Sequence, residues 1–145
     1  MSMLTRHGWR SAILAVALAG ALSTTASAAV TDMTIDDSAQ LSPGMLHATL
    51  TGSLRCDPGD FFPFFSSLGG QISQAKGGSG SGSTVPTCDG TLQPFSMDIA
   101  SGSPFGGSGP FKAGKASAQI STTVCDPMTF MCSSNYVDAV IRLKK

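Results

Sequence analysis

Leu46-His47-Ala48-Thr49-Leu50-Thr51-Gly52-Ser53-Leu54-Arg55-Cys56 decides the fold. Apolar or small residues fall at every second position, Leu46, Ala48, Leu50, Gly52, Leu54 and Cys56. The positions between them, His47, Thr49, Thr51, Ser53 and Arg55, are polar. Successive side chains of a strand point to opposite faces, so this alternation reads as one long strand buried on one side. It delivers Cys56 to the interior.

The same period recurs downstream. Ala116, Ala118, Ile120, Thr122 and Val124 form a second stripe, and Val137, Ala139, Ile141 and Leu143 a third, opposed by Tyr136, Asp138, Val140 and Arg142. Shorter stripes lie at Met33 and Ile35, at Leu68, Gly70 and Ile72, and at Phe95, Met97 and Ile99. That makes six strands, with room for a seventh around Thr84–Thr87. Ser42-Pro43-Gly44, Asp57-Pro58-Gly59, Asp89-Gly90 and Asp126-Pro127 punctuate them as turns. The composition is rich in Gly, Ser and Thr, holds no Glu and shows no helical period. The expectation is an all-β chain, a small antiparallel sandwich of six to seven strands, with a small closed barrel as the alternative. Gly77-Gly78-Ser79-Gly80-Ser81-Gly82-Ser83 reads as a flexible loop between strands, and 103–111 as a second long loop.

The N-terminus reads differently. Arg6, His7 and Arg10 precede an apolar run from Ala12 to Leu22, and Ala26-Ser27-Ala28 follows with the small-x-small spacing of a cleavage site. The run is shorter than the about 20 residues that a spanning helix needs. Residues 1–28 are therefore expected to be a signal peptide and 29–145 a single secreted domain. The expected location is extracellular or at the cell envelope, with no transmembrane segment in the mature chain. Without Arg6 and Arg10, seven basic residues face nine acidic ones. That balance offers nothing to nucleic acid, which proteins bind through clustered cations.

Export puts the four cysteines in an oxidising compartment. Of the three possible pairings, chain order and the strand assignment favour Cys56 with Cys88 and Cys125 with Cys132. No C-x-x-C spacing points to zinc, and no metal or cofactor is expected.

Catalytic constellations are sparse. His47 is the one histidine of residues 29–145, on the polar side of the best strand, with Ser53 or Ser66 as conceivable nucleophiles but no G-x-S-x-G elbow. Asp57, Asp60, Asp89 and Asp126 stand beside cysteines and read as turn formers. The chain is therefore expected not to be an enzyme.

What the sequence has in excess is aromatic side chains in loops. Phe61, Phe62, Phe64 and Phe65 lie within five residues, Phe105 and Phe111 flank a glycine-rich stretch, and Met128, Phe130 and Met131 occupy the short loop between the last cysteines. Clustered apolar side chains outside a core mark partner surfaces. These nine residues are the candidate binding set, for a protein or cell-envelope partner. Two alternatives remain: a protease inhibitor presenting the Cys125–Cys132 loop, and a carrier of a small apolar molecule.

The layout resembles a group of small exported actinobacterial proteins that carry a domain of unknown function. The likeness rests on Thr51-Gly52-Ser53-Leu54-Arg55-Cys56, then Cys88-Asp89-Gly90, Pro110-Phe111-Lys112-Ala113-Gly114-Lys115-Ala116, a late cysteine pair and a last strand ending in Arg142-Leu143. That resemblance implies a disulfide-bonded, immunoglobulin-like sandwich and carries no catalytic residue. A fainter similarity is to the enediyne-carrier apoproteins, whose first cysteine pair closes a much shorter loop than Cys56–Cys88.

Overall fold

The computed structural model describes residues 29–57, 65–102, 109–126 and 130–145. Among them there are eight strands: β1 Ala29–Ile35, β2 Ser38–Leu41, β3 His47–Asp57, β4 Phe65–Ser73, β5 Ser79–Thr84, β6 Leu92–Ser101, β7 Gly114–Cys125 and β8 Cys132–Lys144. The all-β expectation holds, and the three best alternating stretches are β3, β7 and β8. The sandwich expectation does not. Hydrogen bonding runs β3–β2–β8–β7–β4–β5–β6 and returns to β3, so seven strands close into a barrel. β1 pairs with the same side of β3 as β2 does, extending that ladder, and packs against β8 and β7 without a hydrogen-bonded ladder to either.

Two seams make the closure, and both escape an alternation pattern. The first is at Asp36-Asp37, where the N-terminal strand breaks in two. The Asp36 N–H donates to the Thr51 carbonyl on β3, and the Asp37 carbonyl accepts from the Arg142 N–H on β8. The chain thus passes from β3 to β8, and β2 pairs antiparallel with one and parallel with the other. The second seam is β5. All of Ser79–Thr84 but Thr84 lies inside the tract expected to be a flexible loop, yet it pairs with β4 along its length and with β6 at Gly80 and Ser81.

Glycine is what lets β5 fit there. A Cβ on Gly80 would run into the Ala100 carbonyl, and one on Gly82 into the Asp98 carbonyl. Strand backbones can meet this closely only where no side chain intervenes. The serines between the glycines face outward.

The interior is filled as the alternation demands. Leu50, Leu54, Leu68, Ile72, Met97, Ile99, Ile120, Val124, Ile141 and Leu143 are all fully buried. A barrel of this strand number is just wide enough for its own side chains. Phe111 corrects one expectation. It is a candidate binding residue by sequence, yet it is completely buried. Its N–H donates to the Met45 carbonyl at 2.8 Å, which draws the segment before β7 across the barrel end. Its ring lies against Gly80, where an added Cβ would come within 3.0 Å of Cζ.

A stapled apolar hairpin as candidate functional site

β7 and β8 form the longest antiparallel ladder, from Gly114 opposite Leu143 to Cys125 opposite Cys132. At the tip the Asp126 N–H donates to the Met131 carbonyl at 2.9 Å. Hydrogen-bonded pairs alternate along such a ladder, so Cys125 and Cys132 occupy a non-hydrogen-bonded pair, where opposite strands approach most closely. Their Cα atoms are 4.0 Å apart and the two are joined by a disulfide. Cys56 and Cys88 form the other, with Cα atoms 4.9 Å apart. Both expected pairings are present, and two disulfides are typical of extracellular proteins.

Beyond the staple, Phe130 is 85% exposed and Met131 67% exposed. The Phe130 N–H donates back to the Asp126 carbonyl at 3.0 Å, and Phe130 sits in the left-handed region at φ 56°. A residue with a Cβ meets its own carbonyl there, at a cost of about 1–2 kcal/mol. Asp126, by contrast, is buried beneath the tip. The arrangement is a hairpin whose base is cross-linked and which displays an aromatic ring and a thioether to solvent.

The other candidates separate clearly. Phe61, Phe62, Phe64, Phe105 and Met128 lie outside the described residues, as do residues 1–28 and Asp60. The Phe65 backbone begins β4 opposite Cys125, at the same barrel end as the hairpin. Phe111 belongs to the core.

His47 faces outward as expected, and Nδ1 lies 2.7 Å from Asp98 Oδ2 on β6, with both side chains largely exposed. The pair bridges two strands, and the Ser42 hydroxyl accepts from the His47 backbone N–H at 3.2 Å. Ser53 is six residues along the same strand, about 20 Å away at strand rise, and its hydroxyl pairs with Thr34 at 2.7 Å. Among the described residues no three His, Cys, Asp or Glu side chains converge on a metal position.

Asp89 has a local task. Its Oδ1 accepts from the Thr91 hydroxyl at 2.7 Å and the Thr91 N–H at 2.9 Å, and its Oδ2 from the Gln93 amide at 2.7 Å. These donors, the Thr91 hydroxyl foremost, lower the Asp89 pKa from the ordinary carboxylate value. The turn beside Cys88 is thereby fixed, as the Asp-Gly signal indicates.

Sequence reasoning put Leu46 on the buried side of the best strand, yet it precedes β3 and is 54% exposed, and it passed over Val85, Leu92, Tyr136 and Val140 as exposed apolar side chains. Tyr136 and Val140 stand outward on β8, 69% and 62% exposed. Their signal was present, since both occupy the polar side of the last alternating stripe. No helix among the described residues is long and apolar enough to cross a membrane. A comparison with family models found no match, and no curated protein matches the chain.

Proposed function

We propose that this is an exported, non-enzymatic binding protein that engages a protein or cell-envelope partner through the tip of the β7–β8 hairpin. The observation that supports it is the exposure of Phe130 and Met131 beside a disulfide that closes the loop and a Phe130 to Asp126 hydrogen bond. Displaying two large apolar side chains to water is unfavourable for a monomer, by about 1.5–3 kcal/mol each against burial. A cross-linked base lowers the entropy lost on docking, because the disulfide already holds the two ends of the loop together. The inhibitor reading draws less support, since a left-handed residue interrupts the extended backbone that strand-type peptide recognition requires.

The test is a binding comparison of wild type with the Phe130→Ser/Met131→Ser variant against fractionated culture medium and cell envelope. The reading expects a component that wild type retains and the variant releases, with the same melting temperature for both proteins. Retention unaffected by the double substitution rejects the hairpin as the contact, and no retention by either protein rejects the function.

A further inference from the structure

Among the described residues, the strand glycines are explained by what lies against them, with one exception. A Cβ on Gly52, Gly80 or Gly82 would run into the backbone of a neighbouring strand, and one on Gly70 into the Met97 thioether. Gly114 holds a positive φ of 132°. Gly69 has neither reason. A Cβ there would meet nothing nearer than the Ser121 hydroxyl at 3.6 Å. The ladders of β4 with β5 and β7 run past it without a register shift, so it marks no bulge. Glycine inside a strand weakens it, and the remaining use of one that serves neither a bulge nor a close backbone is to let a ligand approach.

Gly69 lines a trough of about 170 Å³ on the outer face of the barrel, together with the side chains of Gln71, Ser81, Gln119 and Ser121. Strand register sets these residues in two rows across the sheet. One row runs Ser83, Gly69, Ser121, Tyr136, and the next Ser81, Gln71, Gln119, Asp138. The trough is lined by hydroxyls and carboxamides and by no charged side chain. Asp138, at the end of its row, is engaged, since Oδ1 accepts from the Gln119 amide at 2.8 Å. Charge gathers instead on the outside of β1, β3 and β6, where Arg55 lies 3.6 Å from Asp32 and His47 2.7 Å from Asp98. Tyr136 closes the row that contains Gly69, its side chain largely exposed. It stands two strand spacings from Gly69, about 9.5 Å.

We propose that this trough binds a neutral polysaccharide, with one sugar ring seated over Gly69 and a neighbouring ring of the same chain against Tyr136. Hydroxyls and carboxamides both donate and accept hydrogen bonds, and so does every sugar hydroxyl. The walls offer no cation to hold a phosphate or a carboxylate. An apolar molecule would strip water from these polar side chains without replacing their hydrogen bonds. A peptide that adds as a strand needs an unpaired edge, and β4 is paired on both sides. Tyr136 supplies the apolar surface on which the C–H face of a sugar ring rests, with its hydroxyl at the rim. The site is on the barrel wall and does not include Phe130 or Met131, which lie beyond the Cys125–Cys132 disulfide.

The experiment is titration of isotope-labelled protein with maltohexaose, cellohexaose, laminarihexaose and mannohexaose, followed by amide resonances, with hexagalacturonate as the charged comparator. At least one neutral chain should give saturable shifts centred on Gly69, Gln71, Gln119, Ser121 and Tyr136, with a Kd of about 1 mM or tighter. Gly69→Val puts a branched side chain into the trough at a position that suits a strand. It should weaken binding by about tenfold or more at an unchanged melting temperature, and Tyr136→Ala should weaken it by a similar factor. Phe130→Ser/Met131→Ser should bind these sugars as wild type does, so failure of this site and failure of the hairpin tip are read separately. The proposal is overturned if none of the four neutral chains gives saturable shifts, or if the shifts map elsewhere. It is equally overturned if hexagalacturonate binds as well as they do, or if folded Gly69→Val binds like wild type. The wild-type titration decides the matter even if a variant fails to fold.

Discussion

Replacing Gly82 with alanine should destabilise the protein although it adds only one methyl group. The new Cβ would run into the Asp98 carbonyl oxygen, and would lie 3.0 Å from the carbonyl carbon and 3.2 Å from Ile99 Cδ1. The first two obstacles are backbone, so no rotamer change relieves them and β5 must move off β6. Over-packing of this kind costs about 2 kcal/mol. Alanine also restricts the unfolded chain, which returns about 0.5 kcal/mol. A net loss of roughly 1.5 kcal/mol should lower the melting temperature by about 5–8 °C in a domain of this size. Gly69→Ala is the matched control, because its Cβ would meet nothing nearer than the Ser121 hydroxyl at 3.6 Å. That variant keeps the chain-entropy gain and should melt at or slightly above wild type. Thermal unfolding followed by circular dichroism under non-reducing conditions makes the comparison. If the two variants melt together, β5 is not packed against β6 and the reasoning about closure fails.

Three further outcomes follow from named contacts. Removing Cys56–Cys88 should cost about 4 kcal/mol and removing Cys125–Cys132 about 2.5 kcal/mol, because the first spans 32 residues and the second 7; denaturant titration of the two double-alanine variants ranks them. Phe130→Gly should raise stability by about 1 kcal/mol by relieving the left-handed backbone, an unusual sign for loss of an aromatic residue, and calorimetry reads it. Asp89, with its pKa lowered, contributes stability above the ordinary carboxylate range that disappears as pH falls through its folded value. The melting temperature of wild type should therefore fall further than that of Asp89→Asn when pH is taken from about 5 to about 2.

How much of this was legible follows from what each strand places inside. β3 and β7 bury mostly leucine, isoleucine, valine or alanine at every second position, and β8 turns Val137, Ala139, Ile141 and Leu143 inward, so their period announces them. β5 buries glycine, whose lack of a side chain is both the reason that it fits and the reason that it reads as a loop. Since β5 forms one of the two closing seams, the choice between sandwich and barrel was out of reach. The other seam turns on Asp36 and Asp37, where a change of hydrogen-bonding partner leaves no trace in hydropathy. Phe111 misled for a related cause, because a glycine- and proline-rich surrounding signals a loop without saying whether its ring turns inward. The hairpin tip was legible from cysteine spacing alone. A seven-residue separation at the turn between two alternating stripes leaves Phe130 and Met131 little room to be buried.

Closure of the barrel underlies the placement of every surface discussed, and nuclear Overhauser contacts across its two seams test it most directly. The account predicts backbone contacts from Ser81 to Ala100, joining β5 to β6, and from Gln40 to Lys144, joining β2 to β8. Both sets should appear together with those of the β3–β6 and β4–β7 ladders. A spectrum that contains the two ladders but lacks either seam would contradict the barrel and leave two separate sheets.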